Sequence, residues 1–169
     1  MAHNNAVTSA PLARVSMLAL PKNAAPNKLA KIISQEVLIT RALGGDVQVP
    51  CTYTTTSGKN FELTMTLHFD PLTVQADTKI SINMDTETLV AEFEPSGIQF
   101  DKEATLSATV KGLDLTPVPD NASVKLFYIN GAQCTVMPGE PTIDKAAGSL
   151  VLTDGKIKHF SLYGFGFLK

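Results

Sequence analysis

Charge is scarce in this chain: 18% of its 169 residues are Asp, Glu, Lys or Arg, against about a quarter in ordinary domains. The 14 basic residues do not outnumber the 16 acidic ones. No basic surplus is available to neutralise a phosphate backbone, so nucleic acid is not an expected partner. Long apolar runs are also missing. The longest near the start, Val15 to Leu20, is interrupted by Ser16, closed by Pro21 and well short of the roughly 20 residues that a membrane span needs. A secretory leader is not legible, because residues 1–10 hold no Lys or Arg and no leader-length apolar region follows. His3, His68 and His159 are scattered without Cys or carboxylate partners at ligand spacing, which argues against a metal or other cofactor. The two cysteines, Cys51 and Cys134, match neither a zinc nor a CxxC pattern. They fit the buried thiols of a reduced protein, or one bridge between strands if the protein is exported. A P-loop, a GxGxxG turn and a GxSxG elbow are all absent, so a conventional enzyme is not expected.

What is present is apolar mass. At 44% hydrophobic residues, a chain of 169 residues can build one core without metal or disulfide support, and one domain is the natural expectation. Residues 1–34 differ from the rest: they are rich in Ala, Asn and Pro and carry no aromatic or acidic residue, the composition of an arm or linker. Within that arm, Leu12 to Leu20 reads as an edge strand between two prolines, and Asn27 as the cap of a short helical turn bearing Leu29, Ile32 and Ile33. Val15, Met17, Leu18 and Leu20 mark it as a segment able to add a strand to a sheet edge, on its own domain or on a neighbouring copy.

From residue 35 to 169 the pattern has period two, clearest from Phe61 to Phe69, where every odd position is apolar and every even one polar. The alternation returns at Ile80/Ile82/Met84, Leu89/Ala91/Phe93, Leu106/Ala108/Val110 and Val124/Leu126/Tyr128. At least seven short strands are predicted, with Leu63, Leu67, Phe69, Ile82, Phe93, Phe100, Leu106 and Phe160 facing one core. Gly44-Gly45 and Asn130-Gly131 are hairpin signals, the second folding Phe127–Ile129 back on Gln133–Thr135 through a type I′ turn. The expected fold is all-β, an antiparallel sandwich of Ig-like kind. The acidic set Asp85, Glu87, Glu92 and Glu94 reads as a solvated sheet face rather than a calcium site, since no EF-hand spacing accompanies it. Asn121-Ala122-Ser123 is a glycosylation acceptor only in a eukaryotic secretory setting and otherwise a loop turn.

Three segments stand in a suggestive order: Gly44-Gly45-Asp46-Val47, then Phe93-Glu94-Pro95-Ser96-Gly97-Ile98-Gln99-Phe100, then His159-Phe160-Ser161-Leu162-Tyr163. Together with the run from Asp77 to Leu106 they resemble the ZU5-like β-sandwich domains of bacterial surface proteins. The resemblance implies a structural or adhesive interaction module of the cell envelope or surface, with protein partners. It also raises a chemical possibility, because some ZU5 domains of animal signalling proteins cut themselves between Phe and Ser. In this chain Ser161 would be the nucleophile, His159 the general base and Phe160 the acyl donor. The contrasting reading makes Phe160 a core plug with His159 and Ser161 on the opposite face.

Overall fold

The computed structural model describes residues 9–25, 32–33 and 36–169. Among these residues there are fourteen strands, one short 3₁₀ turn and no α-helix, so the all-β expectation holds. Two antiparallel sheets pack face to face. The five-stranded sheet runs β12 (Thr142–Asp144), β13 (Ser149–His159), β9 (Gln99–Lys111), β6 (Asn60–Phe69), β5 (Gly45–Thr54). The nine-stranded sheet runs β1 (Ser9–Pro11), β11 (Gln133–Val136), β10 (Lys125–Asn130), β14 (Leu162–Leu168), β8 (Val90–Glu94), β7 (Thr78–Met84), β3 (Ile32–Ile33). Two short strands join it off that path, β2 (Val15–Met17) on β14 and β4 (Val37–Ile39) on β7.

Alternation places the core. On β6 the odd residues Phe61, Leu63, Met65, Leu67 and Phe69 are buried. They register against β9 as Leu63 with Val110, Met65 with Ala108 and Leu67 with Leu106. The even residues form the outer face, where Thr64 lies beside Thr109 and Thr66 beside Ser107. Of the expected core residues, seven are buried and Phe100 is half-buried, lying 4.9 Å edge-on from the Phe160 ring and 5.4 Å from Phe69.

Three local expectations need correction. The hairpin after β10 is displaced by one residue: Asn130 pairs with Gln133, so Gly131-Ala132 is the two-residue loop. Only Gly131 there has positive φ (58°), the requirement of a type II′ rather than a type I′ turn. The expected edge strand over Leu12–Leu20 is broken by the 3₁₀ turn Leu12–Arg14. Ile32–Ile33 is strand β3, paired with Met84 and Asn83 on β7, not part of a helical turn; Asn27 and Leu29 lie outside the described residues.

The arm is woven into the sandwich, so the composition shift near residue 34 is no break in the packing. β1 forms the edge beside β11, and β2 pairs Met17, Ser16 and Val15 with Gly166, Phe167 and Leu168. Leu18 and Leu20 then enter the main core, and Leu18 N donates to Phe165 O while Leu89 N donates to Leu18 O. Beyond them, Ala24 N donates to Thr54 O and the Tyr53 hydroxyl to Pro21 O, so the segment straps one sheet to the other. The seat for β2 is cut by two glycines. In Tyr163-Gly164-Phe165-Gly166-Phe167 the aromatics point into the core and the glycines outward. A Cβ on Gly166 would stand 2.6 Å from Ser16 O, and one on Gly164 3.0 Å from the Met17 sulfur.

Candidate functional site

Two places gather the candidate residues: the His159-Phe160-Ser161 corner and the outer face of the nine-stranded sheet. At the corner, β13 ends at His159 and β14 begins at Leu162. Phe160 is 1% exposed and sits in a cluster with Phe69, Phe93 and Phe100, at ring separations of 6.2, 5.7 and 4.9 Å. Its backbone is pinned: Phe160 N donates to Ile98 O at 2.9 Å, and Phe160 O accepts from Gly97 N at 3.2 Å. Ser161 O accepts from Phe93 N at 3.0 Å. The Pro95-Gly97 turn therefore positions this corner, with Gly97 at a φ of 85° that suits glycine.

The imidazole of His159 is engaged by tyrosines. The Tyr163 hydroxyl donates to His159 O at 2.6 Å and stands 3.3 Å from His159 Nδ1, while the Tyr128 ring meets the imidazole edge-on at 4.6 Å. Burial, and then the neighbouring Tyr128, holds the Tyr163 phenol far above its ordinary range, so it stays a neutral donor. Among the described residues no hydrogen bond joins His159 to Ser161. The tripeptide thus sits in the arrangement that packs Phe160 inward and sets His159 against Tyr128 and Tyr163.

On the outer face of the nine-stranded sheet lies a second apolar cluster: Ala10, Val15, Phe127, Ile129 and Cys134. It exists because β10 carries apolar residues in both phases, Leu126 toward the core and Phe127 outward over Gly164. Beside it opens a recess of about 730 Å³, within the usual range of ligand pockets. Phe127, Val136 and Leu168 from three strands form its floor, and Ala122 from the Pro119–Ala122 turn closes one side. Lys125 and Glu140 face each other at its rim, 3.2 Å apart. Apolar surface with a few convergent polar groups is the usual make-up of a binding pocket. Period-two reading missed this recess: the adjacent apolar pair Leu126-Phe127 was its one local sign.

The remaining expected residues are dispersed. Cys51 lies on β5 in the main core and Cys134 on β11 in the outer cluster; both are buried and unbridged. Of the two alternatives the arrangement is that of the buried thiols, since Cys51 faces the core between the sheets and Cys134 lies in the cluster on the outer side of the nine-stranded sheet. Desolvation raises both thiols above their ordinary pKa, which keeps them protonated and unreactive. His68 is exposed on the outer face of β6, with Nδ1 2.5 Å from Asp46 and Nε2 3.1 Å from Asp70. Asp85 caps its own turn, accepting from Thr86 N, Thr88 N and the Thr88 hydroxyl, and those bonds hold its carboxyl below the usual range. Among the described residues no group of three His, Cys, Asp or Glu side chains is placed to hold a metal ion. His3 lies outside them. Among the described residues no helix is long and apolar enough to cross a membrane.

No family model matches the chain, and no curated protein or solved structure matches it.

Proposed function

We propose that this chain is a non-catalytic, protein-binding module, a ZU5-like β-sandwich in a structural or adhesive role at the bacterial cell envelope. The observation that carries the binding half is the apolar recess over Phe127, Val136 and Leu168, held on three paired strands. The floor lies on paired strands and is rigid, so that part of the site needs no ordering when a partner docks. Support for a non-catalytic role comes from the corner, where Phe160 fills the core and His159 is held by Tyr163. The envelope setting rests on the motif order alone.

Denatured intact mass after prolonged incubation tests the first part. One uncut species is expected; a pair of fragments split between Phe160 and Ser161 would establish self-cleavage instead. Fractionation of the cells that make the chain tests the setting, with recovery in the envelope fraction expected and purely cytoplasmic recovery overturning it.

A further inference from the structure

The end of the sandwich opposite the recess carries two leucines that the fold does not need outside. Leu43, in the turn between β4 and β5, is 77% exposed, and Leu72, just after β6, is 49% exposed. Their loops are joined, because Leu72 N donates to Arg41 O at 2.7 Å. Leu72 also holds a φ of 68°, a left-handed conformation that the other described non-glycine residues avoid. The chain therefore keeps an apolar side chain in water at a position where glycine would relieve strain. Strain together with exposure points to a role for that side chain outside its own fold.

The two ends complement each other. β14 runs from Leu162, beside the Phe160 corner near the leucine tip, to Leu168 on the floor of the recess. The tip exposes two leucine side chains, and the recess is a concavity with an apolar floor. Around the tip stand four carboxylates, Asp46, Asp70, Asp77 and Asp101, against Arg41 bonded to Asp101, Lys102 bonded to Pro71 O, and His68 bonded to Asp46 and Asp70. In the recess Lys125 is paired with Glu140, which leaves Lys169 as its unmatched charge. The tip carries the acidic excess and the recess the basic one.

We infer that the Leu43–Leu72 tip of one copy docks into the recess of a second copy, so that copies join head to tail. This rests on reading the chain as an interaction module and names its partner. Such an interface is heterologous: each copy leaves one tip and one recess free, so association continues past the dimer.

Sedimentation velocity on the purified full chain across a wide concentration range tests it. Wild type is expected to give a ladder of sizes that grows with concentration. Leu43→Asp, which spoils the tip, and Leu168→Glu, which puts a carboxylate in the recess, are each expected to weaken association about tenfold or more. Mixed together, they are expected to form a one-to-one dimer and nothing larger, since each retains the half the other lacks. Leu72→Gly is expected to lose association while melting no lower than wild type, which separates the effect from unfolding. A wild type that stays monomeric, a closed dimer, a ladder that survives any of the three substitutions, or a mixture that stays monomeric would overturn the inference. Any of these would leave the recess open to a different protein partner.

Discussion

Gly166→Ala is the smallest change that separates the arm from the sandwich. The added methyl would stand 2.6 Å from Ser16 O and 3.2 Å from Met17 Cα, and both are backbone atoms with no rotamer to give way. β2 must therefore shift or lift. Overpacking of this kind typically costs about 1–3 kcal/mol. Release of β2 sets the upper limit: it forfeits the burial of Val15, about 1.5–3 kcal/mol, and the β2–β14 hydrogen bonds, about 1 kcal/mol net each, while chain entropy is regained. The expected loss is about 2–3 kcal/mol by urea denaturation. Limited trypsin digestion reads the local effect, because Arg14 and Lys22 flank β2 and are exposed. Cleavage there is expected to quicken before the rest of the chain is attacked. As a comparison, Gly97→Ala, at the Phe160 corner and away from the arm, has open space around its Cβ and carries only the strain of φ +85°. It is expected to leave both sites as protected as in wild type. A Gly166→Ala protein with an unchanged urea midpoint and unchanged cleavage would refute the seating of β2 on the glycine slot.

Phe93→Ala should cost about 3–5 kcal/mol in a urea melt, because the ring is fully buried between Phe160 and Tyr163; a nearly unchanged midpoint would show the strand register to be wrong. His68 is raised above its ordinary pKa, first by its hydrogen bond to Asp46 and then by that to Asp70. A raised folded-state pKa stabilises fully below the unfolded value of about 6.5 and is lost as pH rises through the folded value. Stability is expected to fall slightly between about pH 6 and 8, by no more than about 0.5 kcal/mol because the pair is more than half exposed. His68→Gln should remove that slope, and an unchanged slope assigns it to another group. Alkylation of native protein should label neither Cys51 nor Cys134, and denaturation without reductant should expose both; thiols that appear only after reduction would establish a bridge.

Strands β7 and β8 of the nine-stranded sheet and β6 and β9 of the five-stranded one were legible because alternate residues on each face the core. β6 shows this plainly, with threonines and His68 outside and Phe61 to Phe69 inside. The outer features of the other sheet were not legible, because there both faces are partly covered. Leu126 and Phe127 are both buried, which breaks period two, and nothing local to Gly164 and Gly166 marks them as a seat for β2. The cause is an approach by residues 15–17 to a strand about 150 positions away in sequence, which no local window contains. The displaced hairpin has a local cause: Gly131 can supply the positive φ as either the second or the first loop residue, and the pairing of Ile129 with Cys134 decides the register.

The central claim is that the chain works by binding protein through the recess of its nine-stranded sheet. The most direct measurement places a photo-reactive residue at Ala122 or Leu168 in the recess, and at Thr64 or Thr109 on the polar face of the other sheet. After irradiation in the cells that make the chain, adducts to protein are expected from the first two positions and not from the second two. Equal adducts from both faces, or none from the recess, would contradict the claim.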